Sequence, residues 1–188
     1  MKLVIGIAIG ILALPLAATL VVWTGSFDMS ATRPPTKLEQ LVGGALADRA
    51  VARRAPRGKN PVPLTREVLS AGLAHYREDC VVCHGAPGIP SGEAGKGLNP
   101  PAPDLASADS QESSDGELYQ VIAHGIRMTG MPAWLPTHTE REIWELVAFV
   151  RHLPQITPGE KRELATGQES MPRDASSATR GEPPGGHP

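Results

Sequence analysis

The two cysteines of this 188-residue chain lie close together and are followed at once by a histidine, in Cys80-Val81-Val82-Cys83-His84. This spacing is typical of a site for covalent haem attachment, in which each thiol adds to one vinyl group and forms a thioether bond. The adjacent imidazole of His84 would then be the proximal ligand of the iron. The sequence therefore predicts one haem c, bound through thioethers to Cys80 and Cys83.

Three other sites use the same cysteine spacing. A thioredoxin-like redox pair would come with a βαβ pattern, and we find no such pattern in the sequence. A zinc site would need a second cysteine pair or a histidine pair, and the remaining histidines have no suitable spacing. A structural disulfide would leave the adjacent histidine unexplained. Haem attachment accounts for all three side chains.

A second iron ligand is expected on the other face of the haem, because fast electron transfer needs two strong-field ligands. Met131 is the first candidate, since it lies between a glycine and a proline on a stretch too constrained to be helical. A thioether ligand would also raise the reduction potential of the iron. Met128 is more typical of packing, and His124 and His138 would be the ligands in a bis-histidine alternative.

Three stretches of helical periodicity are expected to position these ligands. The first helix is predicted from Thr65 to Asp79, with Gly72 in the middle of its apolar face. Because glycine is a poor helix former, we expect another helix to approach closely there. Two further helices are predicted from Asp115 to Ala123 and from Glu140 to His152, each preceded by a capping-box sequence.

The aromatic residues of the third helix, Trp144 and Phe149, are the expected partners of that glycine-bearing face and of Tyr76. Between the first two helices, a run rich in glycine and proline from His84 to Asp104 is predicted to be a loop without regular structure. A backbone carbonyl within Asn99-Pro100-Pro101 is expected to accept a hydrogen bond from the proximal imidazole.

The chain begins with a stretch of 21 residues without a charge, from Leu3 to Trp23. A helix of this length is about 31 Å long, which is enough to cross the hydrocarbon core of a membrane. A cleaved signal peptide is the alternative, but its apolar stretch would be shorter and would end at a small-residue cleavage site. We therefore expect residues 1–24 to be a transmembrane anchor, with the rest of the chain on the periplasmic side of the inner membrane.

Charge is distributed unevenly along the chain, although the net charge is only −2. Residues 25–63 are predicted to be a basic, proline-containing linker, whose cations are either solvated or in contact with anionic lipid or an acidic partner. Residues 64–154, the predicted folded domain, have 6 Lys+Arg against 12 Asp+Glu. This acidic balance does not suggest nucleic acid and favours redox partners with a basic docking patch. Residues 155–188, beyond a short turn at 158–164, are predicted to be a disordered tail.

The order of these motifs resembles that of class I c-type cytochromes. The resemblance rests on Gly72-x-x-x-Tyr76 before Cys80-Val81-Val82-Cys83-His84-Gly85, then Gly130-Met131-Pro132, and then Glu142-x-Trp144-x-x-Val147-x-Phe149-Val150-Arg151-x-Leu153. It covers about half of the chain. It implies an all-α fold, a small cytochrome c-like helical bundle around one covalently bound haem. By resemblance, Cys80 and Cys83 carry this haem, and His84 and Met131 are its axial ligands.

Both axial positions of the iron are filled in this interpretation, and no set of residues indicates a substrate pocket or a general base. The sequence therefore predicts electron transfer by a membrane-anchored periplasmic monohaem cytochrome that is not an enzyme. A subunit of a larger membrane oxidoreductase, such as a dehydrogenase or a terminal oxidase, would have the same chemistry with a different partner. A haem-based sensor or a peroxidase-like enzyme is the remaining alternative and would need an open distal site.

Overall fold

The computed structural model describes the backbone of residues 2–169 and the side chains of residue 6 and residues 10–166. Within this range the chain is helical and contains no β-strand, apart from one isolated bridge between Ala86 and Ile89. The prediction of an all-α fold is confirmed for this part of the chain. The chain divides into two compact units, Met1–Arg33 and Pro34–Pro188.

The first unit contains helix α1, Lys2–Thr24, which forms where the sequence predicts a helix and has Pro15 inside it. Among the residues whose side chains are described, no helix combines the length and the apolar character needed to cross a membrane. Part of the predicted span, residues 3–5 and 7–9, lies outside those residues.

The second unit contains eight α-helices within the described range. They are α2 (Lys37–Arg54), α3 (Arg66–His75), α4 (Val81–His84), α5 (Glu93–Lys96), α6 (Ala108–Glu112), α7 (Asp115–His124), α8 (Glu140–His152) and α9 (Pro158–Glu169). A π-helical turn, Tyr76–Cys80, joins α3 to α4, and a 3₁₀ turn, Leu153–Gln155, follows α8. The three predicted helices of the domain are therefore present, and the first of them continues into the CxxCH motif, which we define as Cys80–His84.

The starts of α7 and α8 have the caps that the sequence predicts. The hydroxyls of Ser114 and Thr139 each accept a hydrogen bond from the backbone N–H three residues later. The carboxylates of Glu117 and Glu142 accept one in return from the backbone N–H of the capping residue. These paired bonds satisfy two N–H groups that a helix start otherwise leaves without a partner, so they fix where each helix begins.

Helices α3 and α8 cross at Gly72, as the glycine in the apolar face predicts. A Cβ atom at this position would overlap the backbone oxygen of Glu145 and would lie 2.8 Å from Cβ of Phe149. One turn later, the ring of Tyr76 packs against Phe149 with the ring centroids 5.4 Å apart. Both rings are completely buried, so this crossing is the centre of the core.

Trp144 faces α7 instead of α3, so its predicted place beside Gly72 is wrong. Its ring stacks on Tyr119 of α7 with a centroid distance of 4.3 Å. Phe149 lies five residues further along α8, which corresponds to a rotation of about 140° around the helix axis. The two aromatic residues therefore belong to different faces of α8, one against α7 and the other against α3.

Residues 56–60, within the segment predicted to be a linker, pack against the start of α7 and against α8. The backbone N–H of Asn60 donates to Asp115 Oδ2 at 2.9 Å, and its side-chain amide donates to the carbonyl of Trp144 at 2.7 Å. The carbonyl of Pro56 lies against Gly116, where a Cβ atom would overlap it. The packed region thus begins before the predicted start of the domain. Helix α2 has no buried residue.

Residues 155–169 are folded, which corrects the predicted disordered tail over this part. Leu164 of α9 is completely buried, and Ile156 belongs to the same core cluster. Glu163 of α9 also pairs with Arg77 of the π turn at 3.3 Å. The sequence predicted only a short turn at 158–164, which lies within α9, because two apolar residues are too few to produce a visible helical period. Residues 170–188 lie outside the described range.

Candidate haem site

The CxxCH motif lies on a helical path that continues directly from α3. Cys80 ends the π turn, whereas Cys83 and His84 lie in the single turn of α4. The backbone N–H of Gly85 donates to the carbonyl of Val81 at 2.9 Å, and the positive φ of Gly85, 62°, ends the helix. Both cysteines are free thiols. They are therefore available for thioether bonds.

Tyr76 connects the centre of the core to the end of the CxxCH motif. Its hydroxyl donates to the carbonyl of Gly85 at 2.7 Å, while its ring packs against Phe149. Burial raises the pKa of Tyr76, so the hydroxyl keeps its proton and remains a donor. The position of the motif is thus tied to the crossing of α3 and α8.

The imidazole of His84 has a fixed hydrogen-bond acceptor. Its Nδ1–H donates to the carbonyl of Pro103 at 2.9 Å. The sequence predicted an acceptor within Asn99-Pro100-Pro101. The observed acceptor lies in the same loop, two residues after this stretch. This bond leaves Nε2 for a metal ion. Burial also lowers the pKa of His84, which favours the neutral imidazole that a metal ion requires.

The glycine- and proline-rich loop supports the motif from the side. It contains α5, so the prediction that it lacks regular structure is wrong there; a single turn is short enough to fit between the prolines. A Cβ atom at Gly95 of α5 would lie 2.6 Å from the carbonyl oxygen of Cys83. The backbone N–H of Gly92 donates to the carbonyl of Val82 at 2.9 Å. The loop therefore contacts the backbone of the motif directly.

Met131 lies in the irregular segment 125–139 between α7 and α8. The hydroxyl of Thr129 donates to the carbonyl of Ile126 at 2.7 Å and accepts from the backbone N–H of Met131 at 3.1 Å. The backbone N–H of Ile126 donates to the carbonyl of Met131 at 3.2 Å, which closes a short loop. Met131 packs against the core, whereas Met128 is 79% exposed and has a positive φ of 63°.

The proline-rich loop and the segment that contains Met131 touch each other at Leu98. A Cβ atom at Gly130 would lie 3.2 Å from Cγ of Leu98, and it would come closer still to one of the methyl groups. A glycine directly before Met131 therefore leaves room for this leucine. The contact brings the segment of the candidate distal ligand against the loop that holds the proximal imidazole.

The two histidines of the bis-histidine alternative have different surroundings. His124 is the last residue of α7 and is exposed. His138 lies in the segment before α8, where its Nε2 is hydrogen-bonded to Asp79 Oδ2 at 3.1 Å. Met131 has no comparable hydrogen-bonded partner for its sulfur among the described residues, because a thioether is only a weak acceptor.

The residues present fit a covalently bound haem. Two free thiols have the required spacing, and the imidazole next to them is held by its Nδ1–H with Nε2 available. Cys80 is buried in the core cluster, where an apolar macrocycle could pack. Burial also raises the pKa of the Cys80 thiol, so a free thiolate is disfavoured at this position.

The helices and the CxxCH motif together define a c-type cytochrome domain. Residues 67–150 match a family model described as cytochrome C oxidase, cbb3-type, subunit III. The matched region extends from α3 through α8 and includes both the motif and Met131. The match supports a c-type cytochrome domain in this part of the chain, with electron transfer as its role and haem c as its cofactor. The chain has no match among curated proteins.

Proposed function

We propose that this chain is a membrane-anchored, periplasmic monohaem cytochrome c that transfers single electrons and is not an enzyme. The observation that carries the proposal is the arrangement around His84. Two free cysteines and an imidazole that is held by the carbonyl of Pro103 lie on one short helical path, inside a c-type cytochrome domain. This arrangement supplies two attachment points and one iron ligand.

A bound haem supplies a one-electron couple at its iron. The chain's own residues attach, orient and shield it. Cys80 and Cys83 would form the two thioethers, and His84 Nε2 would be the proximal ligand. The hydrogen bond to the carbonyl of Pro103 keeps the imidazole in one orientation and increases its basicity as a ligand. The Tyr76 hydroxyl holds the end of the motif, so the attachment points move little.

Met131 is the proposed distal ligand. It is half-buried against the core on a loop that Thr129 closes by two hydrogen bonds, whereas Met128 points into solvent. A loop with these internal bonds limits the positions that the Met131 side chain can take. Methionine opposite histidine gives the iron a higher potential than other common ligand pairs, which suits an electron acceptor.

The matched pair Met131→Leu and Met128→Leu tests the distal ligand, because leucine keeps the volume and removes the sulfur. We expect Met131→Leu to abolish the sulfur-to-iron charge-transfer band of the ferric protein and to lower its reduction potential. Met128→Leu should leave both unchanged. If the band survives in Met131→Leu, the distal assignment is wrong. Carbon monoxide binding to the unmodified reduced protein would instead support a sensor or a peroxidase-like enzyme, since it needs an open distal site.

Covalent attachment is tested separately by extraction of the denatured protein with acid and organic solvent. Haem bound by two thioethers stays with the polypeptide, and a pyridine spectrum of the reduced protein then reports one haem per chain. Release of the haem into the solvent would exclude both thioethers. Cys80→Ala alone should change the pyridine spectrum to that of a haem with a single thioether.

Membrane anchorage through α1 is supported by the uncharged stretch from Leu3 to Trp23. Its large apolar side chains are exposed where they are described, among them Ile11, Leu14 and Val22. We expect the full chain to stay with membranes after an alkaline carbonate wash. Leu12→Arg combined with Leu16→Arg should release it, because charged side chains at the centre of a span are costly. Release of the unmodified chain would exclude an integral anchor.

A second candidate is a cytochrome subunit of a larger membrane oxidoreductase, and the description of the matched family favours it. The acidic balance of residues 64–154, with 6 Lys+Arg against 12 Asp+Glu, suits a partner with a basic docking patch in either case. Purification in mild detergent separates the two. A carrier that docks transiently should migrate alone at 0.15 M salt, whereas a subunit should remain with its complex.

A further inference from the structure

A second group of metal-binding side chains lies beside the CxxCH motif. His75 ends α3 and Asp79 lies in the π turn that follows, so they are separated by about one helical turn. His138 approaches them from the segment before α8. One ligand atom from each residue lies within 4.8 Å of the other two. The proposed haem ligands include none of the three.

The separations fit three ligands around one metal ion, with a fourth carboxylate beside them. Nε2 of His138 lies 3.1 Å from Asp79 Oδ2, and Nε2 of His75 lies 3.9 Å from Glu142 Oε1. Bonds of about 2.0–2.1 Å at tetrahedral angles place neighbouring ligand atoms about 3.3 Å apart. His75, Asp79 and His138 therefore lie close enough to share one ion, and the carboxylate of Glu142, beside His75, is the candidate for a fourth ligand after rotation of its side chain.

Neighbouring groups already orient the donors. Oγ1 of Thr137 lies 3.0 Å from Nδ1 of His138, where it can accept the proton of the nitrogen that does not bind metal. The ring of Trp134 packs edge-on against His138 at 5.4 Å. Oε2 of Glu142 is engaged in the cap of α8, which leaves Oε1 facing His75. A site of this kind needs such supporting contacts to hold its ligands.

Burial and charge also favour a cation in this place. The side chains of His138 and Asp79 are only 11% and 21% exposed, so water screens them weakly. With neutral imidazoles, the group of four carries two carboxylate charges, which one divalent ion would balance. Imidazole nitrogens with carboxylate oxygens suit zinc or copper, whereas calcium and magnesium prefer oxygen ligands alone.

We propose that His75, Asp79 and His138, together with Glu142, bind one divalent transition-metal ion, with zinc as the representative, at a site separate from the haem iron. The ion would join the residue directly before Cys80 to the segment that contains Met131. It would thereby stabilise the contact between the two sides of the haem site. The site would exist with Met131 or His124 as the distal ligand of the iron, whereas a distal His138 would remove one of its ligands.

The test is a calorimetric titration of the full-length ferric holoprotein with Zn²⁺, after a chelator has removed loosely bound metal. We expect one Zn²⁺ per chain. His138→Gln and Asp79→Asn should each weaken the affinity more than about a hundredfold, and Glu142→Gln roughly ten- to a hundredfold. His124→Gln, which replaces an exposed histidine outside the group, is the matched control and should leave the affinity unchanged.

Two spectroscopic readouts keep this test independent of the haem. X-ray absorption at the zinc edge should show nitrogen and oxygen ligands with two imidazoles and no sulfur. The Soret and charge-transfer bands should not change when zinc binds or when Asp79 becomes Asn, which also shows that this nearly isosteric variant is folded. Absent binding, affinity insensitive to all three substitutions, or sulfur around the zinc would overturn the proposal and leave His138 and Asp79 as an ordinary ion pair.

Discussion

The two sides of the candidate haem site are held in place by different kinds of contact. The proximal segment, residues 76–103, is fixed to the core by the packing of Tyr76 against Phe149 of α8, and two hydrogen bonds across the segment join Tyr76 to Gly85 and His84 to Pro103. The distal segment, residues 125–139, holds Met131 mainly by bonds within a short loop around Thr129. The proximal side should therefore depend on the whole fold, whereas the distal side should be adjustable locally.

The largest effect on stability is expected from Gly72→Ala, which disrupts the crossing of α3 and α8 that supports the proximal segment. The new Cβ would overlap the backbone oxygen of Glu145, and neither helix can move without separating Tyr76 from Phe149. We expect a loss of about 3 kcal/mol in the free energy of unfolding, because overpacking against backbone is poorly relieved. Chemical denaturation followed by circular dichroism measures it.

Gly43→Ala in α2 is the matched control for this substitution. A Cβ atom there meets nothing within 4 Å, so the change should stabilise the helix by up to about 1 kcal/mol. Equal effects of the two substitutions would mean that α3 and α8 do not approach each other closely at Gly72, and the proximal side would lose its rigid support.

A smaller effect is expected from Tyr76→Phe, which removes one proximal contact and leaves the packing intact. The carbonyl of Gly85 would lose its buried donor, at a cost of about 1–3 kcal/mol in unfolding free energy. Tyr119→Phe is the matched control, because the hydroxyl of Tyr119 has no hydrogen-bond partner among the described residues. A similar loss in both variants would show that the hydroxyl of Tyr76 does not support the CxxCH motif.

The helical framework of the domain could be read from the sequence, because its signals are local. The capping boxes at Ser114 and Thr139 and the apolar periods behind them place α7 and α8 within one residue of their observed ends. Gly72 also revealed the close approach of a second helix. The spacing of the CxxCH motif indicated its chemistry without any tertiary information.

The features that the sequence did not reveal depend on long-range contacts. Any of several carbonyls in the proline-rich loop could have accepted from His84, and only the folded path of the loop selects Pro103. The sequence pattern of α8 does not show which helix Trp144 or Phe149 contacts. Only the folded structure shows that Trp144 packs against α7 and Phe149 against α3. Helix α9 depends on Leu164, a single buried residue in a polar stretch, which carries no periodic signal.

The smallest change in stability, and the sharpest test of the difference between the two sides, is expected from Thr129→Val. Valine keeps the shape of the side chain but removes both hydrogen bonds of the Thr129 hydroxyl, to Ile126 and from Met131. We expect the free energy of unfolding to fall by about 1 kcal/mol, and the loss should mainly destabilise the distal loop. If Met131 binds the iron as proposed, added imidazole should replace it with about fivefold higher apparent affinity, since 1 kcal/mol corresponds to that factor.

Titration of the ferric protein with imidazole measures this effect, with Thr166→Val on the exposed surface of α9 as the control. Tyr76→Phe should leave the imidazole affinity near that of the unmodified protein, although it costs more in overall stability. Tyr76→Phe should thus have the larger effect on stability, and Thr129→Val the larger effect on imidazole affinity. This is the result expected if His84 and Met131 are held in place independently. If both variants change stability and imidazole affinity in proportion, the distal loop unfolds together with the core, and Met131 is held by the whole domain in the same way as His84.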